Sequence, residues 1–404
     1  ARQVRDFLQS DPTPLIALRS QAKDWGLGGV YIKDESKRQN LQAFKVSGAA
    51  YAMALWLCRH LGVDITRVGG LADVKQLYEA RHPQHPTTFV TCTDGNHGRA
   101  VAWAAKQLGQ KAVVFMPKGS APARVQHVRD NGGMCTVTEM NYDDTVKHVF
   151  RYAEQQGGVV FQDTAAPGYT EIPTWIMQGY TALADEATEQ MLALDGCRPT
   201  HVVLQVGVGS LAGAVLGYFV ERFWADEPVV AMTLEPTNAA CALKSALHSG
   251  DPQSVEGDLE SMMAGLCCGV LSDIAWPILR DHVHGGFFSM SDGLAGNGMR
   301  LLHGEGIEAG ECGGAAPGLL QRLCVPDCPK AAALRLRLGL GPNSRVLLIN
   351  TEGATDPVNF EQQLQLPHVA CTPDDFEFAP PLHHESSVMA SLLSQRDRCQ
   401  SSQA

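Results

Sequence analysis

The sequence predicts an α/β protein whose strands are mostly parallel. Apolar runs of strand length alternate along the chain with stretches that carry apolar residues at helical spacing, which is typical of parallel α/β folds. The 404 residues are enough for two domains or for one large α/β unit with a sizeable core. Hydrophobic residues make up 45% of the chain and charged residues 19%, as in an ordinary globular protein. We find no internal repeat.

The elements are predicted in order along the chain. The apolar runs predict strands at Val30–Lys33, Thr88–Thr91, Ala112–Met116, Gly133–Thr138, Val159–Gln162, His201–Val206, Val229–Leu234 and Val346–Asn350. Helices are predicted at Gly48–Gly62, Arg99–Leu108 and Trp175–Gln190. Gly69–Pro86 shows no clear pattern, and Asp251–Asp258 is typical of a surface loop. The last twenty residues are rich in Ser and Gln and predict a mobile tail.

The charge pattern limits the class of partner. The net charge is -11 and the basic residues do not cluster, so the chain lacks the basic face that nucleic acid binding needs. No apolar run approaches the ~18 residues of a membrane span. We therefore expect a soluble enzyme with a small-molecule substrate, and neither a nucleic acid nor a membrane as partner.

The twelve cysteines are scattered and lie mostly among apolar residues. A chain of this length does not need disulfides, so the reducing cytoplasm is the expected location. Cys324 and Cys328 have a spacing found in zinc sites, with Cys312 upstream, but no His lies at ligand spacing, and we expect no metal site. The sequence begins at Ala1 rather than Met, which leaves open a preceding targeting segment.

The first of four candidate loops, Asn40–Gly48, lies between a strand and a helix and contains Lys45. A lysine between Phe44 and small residues suits a partly desolvated amine, whose lowered pKa would allow it to form an imine. The alternative is a solvated lysine at a helix start, which the residues taken alone favour.

The second loop, Thr93–Gly98, follows a strand and precedes a helix. Its glycines let the backbone approach a ligand, Asn96 offers a donor and an acceptor, and the helix N-terminus adds a positive field. The alternative is a strand-to-helix turn with an Asn cap, and we expect His97 to be structural.

The third loop, Gly207–Gly213, follows a buried strand and opens a helix, so its amides are placed to bind a phosphate. Its G-x-G-x-x-x-G spacing is one residue longer than the dinucleotide fingerprint, and Glu235 follows the next strand. A nicotinamide dehydrogenase therefore remains a rival at this point. The fourth loop, Asn350–Asp356, ends the last strong strand, where open α/β sheets bind ligands, although a capped turn would have the same sequence.

The order of the four loops is more specific than any one of them. Phe-Lys before a helix, then Gly-Asn-His, a glycine loop and a polar loop after a C-terminal strand resembles the tryptophan-synthase-β-like (fold type II) family of pyridoxal-phosphate enzymes. The resemblance extends from about Pro12 to Asp356 and includes "KDESKR" at Lys33–Arg38, "TDGNHGRAVAWAA" at Thr93–Ala105, "MNYDDTV" at Met140–Val146 and "IPTWIMQGY" at Ile172–Tyr180. It implies two open, mostly parallel sheet domains flanked by helices, with the cofactor in the cleft between them.

The resemblance also implies residue roles. Lys45 is expected to hold pyridoxal 5'-phosphate as a Schiff base, Asn96 to contact its phenolic oxygen, and Thr351, or else Asn350, to face its pyridine nitrogen. The phosphate is expected to lie against Gly207, Val208, Gly209, Ser210 and Leu211. Asp94 and Asp163 are expected to take the α-proton from the D- and the L-substrate respectively, and each would need a raised pKa to act as a base.

The implied activity depends on Asp94. Dehydratases of serine and threonine resemble this fold but typically carry a small residue at that position. The resemblance therefore implies α,β-elimination of 2,3-diaminopropionate, both D and L, to pyruvate and two ammonia, with a serine or threonine dehydratase as the alternative. A dehydrogenase would leave Lys45 and Asn96 without roles, and Lys45 with both aspartates also argues against a catalytically silent ligand-sensing module.

The resemblance gives domain limits and shows departures. We expect a large cofactor-binding domain from residues 1–80 and 181–378, a small α/β domain at 81–180, a flexible tail at 379–404, and a homodimer. "GECGGA" at Gly310–Ala315 and Asn350 stand where the family usually has versions that contain serine. Gly69–Pro86 matches poorly, and the chain after about Leu366 does not match.

Overall fold

The computed structural model describes residues 1–82, 84–223, 228–325, 328–369, 372 and 374–382. The chain forms two sheets flanked by helices, which confirms the expected fold class, and each of the eight predicted strands is present. Ala379, where we expected the tail to begin, ends a strand, and residues 383–404 lie outside the described part of the chain. Within that part, no helix combines the length and the apolar character needed to cross a membrane.

The larger sheet has seven strands and is parallel at its centre. Its spatial order is β1 (Leu15–Ala17), β2 (Gly29–Asp34), β10 (Arg345–Asn350), β7 (His201–Gln205), β8 (Val230–Pro236), β9 (Gly286–Met290) and β11 (Phe376–Ala379). The two edge strands, β1 and β11, run antiparallel to their neighbours. Strands β1, β9 and β11 were not predicted from the sequence. Because the inner strands are parallel, their carboxyl ends share one edge, and the first, third and fourth candidate loops meet there.

The smaller sheet has four parallel strands, in the order β5 (Met134–Val137), β4 (Lys111–Met116), β3 (Thr88–Cys92) and β6 (Val159–Val160). The second candidate loop follows β3, and Asp163 comes three residues after β6. Since β3 and β6 are parallel neighbours, Asp94 and Asp163 leave the sheet at the same edge.

The helices cover both sheets. They are α1 (Arg2–Leu8), α2 (Arg19–Asp24), α3 (Lys45–His60), α4 (Leu71–Arg81), α5 (Asn96–Gln107), α6 (Pro122–Asp130), α7 (Tyr142–Gln156), α8 (Glu171–Asp195), α9 (Ser210–Phe223), α10 (Cys241–Leu247), α11 (Trp276–His282), α12 (Asp292–Gly304), α13 (Glu311–Cys324), α14 (Pro329–Arg337) and α15 (Pro357–Gln365). Short 3-10 helices lie at Glu35–Asn40, Ile65–Arg67, Thr237–Ala239 and Ala264–Leu266. Helix α4 occupies the segment without a clear pattern, where Val74 and Tyr78 share one buried face.

Close packing of α3 against α8 fixes the start of α3. A Cβ added to Gly179 would lie 2.6 Å from the Cα of Gly48, so the two backbones touch at a pair of glycines. On the adjacent turns, Tyr180 packs edge-on against Phe44, with ring centroids 4.8 Å apart. The first turn of α3, which carries Lys45, is therefore held on one side by α8.

Four charged residues form a buried cluster between the chain segment before α3 and helix α8. Lys33 and Arg38 donate to Glu186 on α8 at 2.7 and 2.8 Å, and Arg38 also pairs with Glu35 at 2.8 Å. All four side chains are at most 2% exposed. Burial would raise the pKa of Glu35, but the charges of Arg38 and Lys33 and the hydrogen bonds from Arg38 and Thr13 together outweigh burial and lower that pKa. The "KDESKR" stretch thus joins β2 to α8 and anchors the segment that leads to Lys45.

Candidate active site

The residues predicted from the sequence converge on one cleft. It encloses about 880 Å³ of space that includes open solvent, at the facing edges of the two sheets. The ten predicted residues all line it: Lys45, Asp94, Asn96, Asp163, Gly207, Val208, Gly209, Ser210, Leu211 and Thr351. The four candidate loops, which are far apart in the chain, therefore contribute to a single site.

Lys45 is the first residue of α3 and points into the cleft. The preceding residue is tied across the cleft floor, because the Phe44 N–H donates to the Thr351 carbonyl at 3.2 Å. The Lys45 Nζ lies 2.5 Å from Asp163 Oδ2. Burial would lower the pKa of Lys45, but this carboxylate outweighs burial and raises the pKa well above its usual value. The prediction of a lowered pKa for Lys45 is therefore wrong for its free amine.

Asp163 is held between Lys45 and His97. Its Oδ2 is 3.6 Å from His97 Nδ1, and its carbonyl accepts from the Ser210 hydroxyl at 2.6 Å. Burial would raise the pKa of Asp163, but His97 and Lys45 lower it well below its usual value, which contradicts the raised pKa we expected. His97 donates from Nε2 to the Phe161 carbonyl at 2.9 Å, and burial lowers its pKa, as suits a neutral structural ring.

Asp94 differs from Asp163 in its electrostatic environment. It follows β3, lines the cleft and is partly accessible from it. Loss of water around it raises the pKa of Asp94 to about 6, although Arg124 and Lys45 act to lower it. Asp94 therefore has the raised pKa that we expected for a carboxylate acting as a base near neutral pH.

Two charged neighbours fix the orientation of the Asn96 amide. Asn96 Oδ1 accepts from Arg99 at 3.1 Å, and Nδ2 donates to Glu352 Oε2. The other oxygen of Glu352 accepts from the Cys312 N–H at 3.1 Å, which holds the carboxylate in place. Because an amide nitrogen carries two hydrogens, Asn96 keeps one donor for a ligand in the cleft.

The glycine loop lets backbone approach the cleft closely. Gly209 has φ +93°, a conformation that favours glycine, and the next residue begins α9. A Cβ added to Gly207 would lie 3.0 Å from the Gly265 carbonyl oxygen. Glu235, which a dehydrogenase would need facing a ribose, instead accepts from the N–H groups of Ala242 and Leu243 at 2.8 Å. Glu235 therefore caps α10 and is not free to bind a ribose, which argues against a nicotinamide dehydrogenase.

The fourth loop distinguishes its two polar candidates. Thr351 lines the cleft, and its Oγ1 is buried without a hydrogen-bond partner among the described residues. Asn350 lies behind it, and its Nδ2 donates to Asp34 Oδ1 at 2.8 Å and to the Glu308 carbonyl at 3.0 Å. A Cβ on Gly313 would lie 2.0 Å from Asn350 Oδ1. The two places where this chain differs from the family's serine-containing versions, "GECGGA" and Asn350, are therefore in direct contact.

Several side chains that were not predicted from the sequence also line the cleft. Glu352 lies in the fourth loop, beside Thr351, and Tyr142 and Tyr180 lie in stretches quoted for the family resemblance. Arg124 had no local signal, because it lies inside α6, in its first turn, rather than in a loop directly after a strand. The Gln162 amide donates to the Tyr142 hydroxyl at 3.1 Å, and the Tyr180 hydroxyl is buried without a partner in the described chain.

The cysteines with zinc-like spacing do not meet at one point. Cys312 lines the cleft, whereas Cys324 and Cys328 are buried in the core beside the larger sheet. Among residues 1–82, 84–223, 228–325, 328–369, 372 and 374–382, no group of three His, Cys, Asp or Glu is placed to hold a metal ion.

Comparison with known proteins agrees with this geometry. The family described as "Pyridoxal-phosphate dependent enzyme" matches residues 7–352. Diaminopropionate ammonia-lyase of Escherichia coli strain K12 is 45% identical over 371 residues, which cover 90% of both chains. A probable D-serine dehydratase of Sinorhizobium medicae is 27% identical over 344 residues, covering 76% of this chain and 75% of the relative.

Solved structures give the same result. The holo form of the E. coli diaminopropionate ammonia-lyase has a TM-score of 0.83 at 43% identity, covering 90% of this chain and 91% of that one. The same enzyme in complex with D-serine has a TM-score of 0.82 at 42% identity, with the same coverage. The chain therefore belongs to the pyridoxal-phosphate dependent enzyme family, in the group that contains the diaminopropionate ammonia-lyases.

Proposed function

We propose that this enzyme is a carbon–nitrogen lyase that converts 2,3-diaminopropionate, as the D- or the L-isomer, to pyruvate and two ammonia. The supporting observation is the placement of Asp94, a carboxylate with a raised pKa, in the same cleft as Lys45. The E. coli diaminopropionate ammonia-lyase is 45% identical over 90% of this chain, whereas the probable D-serine dehydratase is 27% identical over 76% of it. This difference supports the ammonia-lyase over the dehydratase.

The residues present fit pyridoxal phosphate. The glycine loop at the start of α9 offers backbone amides and a helix N-terminus for a phosphate dianion. The unpartnered hydroxyl of Thr351 lines the cleft and can donate to a pyridine nitrogen, whereas both hydrogens of the Asn350 amide nitrogen are used by Asp34 and Glu308, and Asn350 does not line the cleft. The free donor of Asn96 suits a phenolic oxygen. These observations favour Thr351 over Asn350 as the residue facing the pyridine nitrogen.

The cofactor, when bound, supplies the electron sink that stabilises a negative charge on the substrate α-carbon. The protein supplies position and proton transfer. Lys45 offers the amine for covalent attachment, and its pairing with Asp163 holds that amine at the cleft floor. A hydroxyl at the pyridine nitrogen, rather than a carboxylate, would leave the nitrogen unprotonated and so favour loss of the β-amine.

Proton removal is proposed to use two carboxylates on opposite sides of the substrate. Asp94 leaves the small sheet after β3 and Asp163 leaves it after β6, so each approaches the cleft from its own strand end. Asp94 would serve the D-isomer and Asp163 the L-isomer. Because His97 and the ion pair with Lys45 lower the pKa of Asp163, Asp163 would become a stronger base when Lys45 leaves that pair.

We also propose that the enzyme works as a cytoplasmic homodimer and that its small-sheet unit, residues 81–180, forms a domain distinct from the rest. The described cysteines carry no disulfide, which suits a reducing compartment. The four strands of the small sheet all come from residues 88–160. Light scattering of the purified protein measures the assembly.

The decisive experiment measures pyruvate and ammonia release from D- and L-diaminopropionate, beside D-serine, L-serine and L-threonine. The proposed function predicts two ammonia per pyruvate and a higher kcat/KM for both diaminopropionate isomers than for any hydroxy amino acid. Faster turnover of L-serine or L-threonine than of diaminopropionate would instead identify a dehydratase.

A further inference from the structure

A second cavity adjoins the cleft and contains charged groups that the proposed mechanism does not use. We call it the vestibule; it encloses about 770 Å³ of space that includes open solvent. Its polar lining includes Asp94, Lys118, Arg124, Glu311, Asp356 and Asn359. It shares Asp94 and Arg124 with the cleft, so a substrate that enters through it passes these two side chains.

Glu311 is a buried carboxylate with spare hydrogen-bonding capacity. It begins α13 and is 2% exposed. One oxygen accepts from the Asn359 side-chain amide, whereas Oε2 has no hydrogen-bond partner in the part of the chain that the structure describes. The nearest cationic atom is Arg124 Nη2, at 3.8 Å, which is beyond hydrogen-bond distance. A buried carboxylate oxygen without a partner is costly, so a ligand that donates to it is favoured.

Arg124 faces the same cavity from the other side. It reaches from α6, in the small-sheet unit, toward Glu311, in the large-sheet unit. Its Nε is buried without a partner among the described residues. The Asp94 carboxylate lies close enough to attract the Arg124 guanidinium. The Arg124 side chain packs on Gly95, where an added Cβ would lie 3.1 Å from Arg124 Cδ. The vestibule therefore presents a carboxylate and a guanidinium side by side, both with unused hydrogen-bonding atoms.

This charge arrangement matches one class of amino acid. A diamino acid carries a carboxylate and a second amine, whereas serine carries a neutral hydroxyl in place of that amine. We propose that the vestibule selects the substrate, with Glu311 binding the second ammonium group of a diamino acid and Arg124 binding its carboxylate. This inference rests on the proposed function. Burial and the nearby Glu352 raise the pKa of Glu311 to about 7, so an ammonium partner would stabilise its ionised form.

The test uses Glu311→Gln in the holoenzyme, because glutamine keeps the shape and an acceptor for Asn359 but removes the charge. Steady-state kinetics are measured with diaminopropionate and with serine. A charge-assisted hydrogen bond contributes a factor of about 10 to 100 to binding. We expect kcat/KM for diaminopropionate to fall by about that factor, mainly through KM, and the ratio of diaminopropionate to serine kcat/KM to fall by at least about tenfold. Arg124→Gln should lower kcat/KM for both substrates, because both carry the carboxylate.

Two further variants separate this inference from loss of structure. Glu361→Gln removes a carboxylate from the exposed face of α15, outside the vestibule, and should change neither substrate. Glu311→Asp keeps the charge and should retain more of the substrate ratio than Glu311→Gln; equal loss in both overturns the proposal. If the wild type prefers diaminopropionate and Glu311→Gln keeps that preference within about twofold, the proposed function stands and this inference is wrong. If the wild type prefers serine, the proposed function fails and this inference fails with it.

Discussion

Replacing Asp94 by Asn should make the protein more stable at neutral pH while it removes a proposed catalytic base. In the folded protein Asp94 has a pKa of about 6, against 3.8 for an ordinary aspartate. The cause is loss of water around the carboxylate, which the cations Arg124 and Lys45 only partly offset and which the Asp163 carboxylate reinforces. Keeping Asp94 ionised therefore costs folding free energy that a neutral amide of similar shape does not incur.

The size and sign of the effect follow from the two pKa values. Below about pH 4 Asp94 is neutral in both the folded and the unfolded state, so wild type and variant should differ little. Between about pH 4 and 6 only the unfolded state loses the proton, and the gap opens as the pH rises. Above about pH 6 the gap is constant and at most about 3 kcal/mol. Because Asp94 is partly accessible from the cleft, we expect about 1–3 kcal/mol at pH 8 and about half of that at pH 5.

The assay is urea unfolding of the cofactor-free protein, in which Lys45 is a free amine. Free energies of unfolding of wild type and Asp94→Asn are compared at pH 5 and pH 8, and Asp24→Asn, on an exposed position of α2, serves as the matched control. Asp24→Asn should show no gain at either pH. An Asp94→Asn variant that is less stable than the wild type at pH 8, or equally stabilised at both pH values, would refute the assignment of a costly ionised carboxylate.

Four other variants test the rest of the site and its support. Asp94→Asn should lose ~10²–10⁴ in rate on D-diaminopropionate and Asp163→Asn the same on L-diaminopropionate; equal loss of both isomers in both variants would contradict the two-base proposal. Lys45→Ala should fold but lose the visible absorbance of the loaded enzyme and nearly all turnover, and retention of both would remove Lys45 from its role. Gly209→Asp places a carboxylate where the phosphate is expected, so the variant should lose its cofactor on dialysis while its stability to urea changes far less. Unchanged cofactor retention after dialysis would exclude this loop from the phosphate site. Glu186→Ala leaves Lys33 and Arg38 buried with one carboxylate between them, and urea unfolding should show a loss of about 3–5 kcal/mol; the exposed Glu171→Ala should lose at most about 1 kcal/mol, and a similar small loss in Glu186→Ala would mean that the cluster is not essential.

The sequence was informative where function depends on short stretches at strand ends. Lys45, Asn96 and the Gly207–Leu211 loop each follow a strand and open a helix, and parallel strands bring such loops to one edge, so local pattern and fold class together placed them. Most inner strands were found because both of their faces are apolar, but the inner strand β9 was missed although it is buried along its whole length. The edge strands β1 and β11 were missed because they are three and four residues long.

Other features depend on contacts that no local pattern reveals. Arg124 and Glu311 come from α6 and α13, which are distant in the chain and approach each other at the vestibule. The pKa of Asp163 is lowered by His97 and by Lys45, which is 118 residues away in the chain, so the direction expected from burial alone was wrong. Choosing between Thr351 and Asn350 required their hydrogen-bond partners, since both are polar and adjacent.

The contact between Gly313 and Asn350 restricts the order in which these two positions could change between the residues of this chain and the serine-containing sequences of the family. Any side chain at position 313 would collide with the Asn350 amide, since even a Cβ would lie 2.0 Å from Oδ1. Shortening Asn350 to Ser first removes that obstacle and costs the hydrogen bonds to Asp34 and Glu308. Replacement at 350 is therefore expected to precede replacement at 313, although the Glu352 carbonyl oxygen, 2.9 Å from the same Cβ, would still have to shift. A chimera that exchanges only the α13 segment should be destabilised.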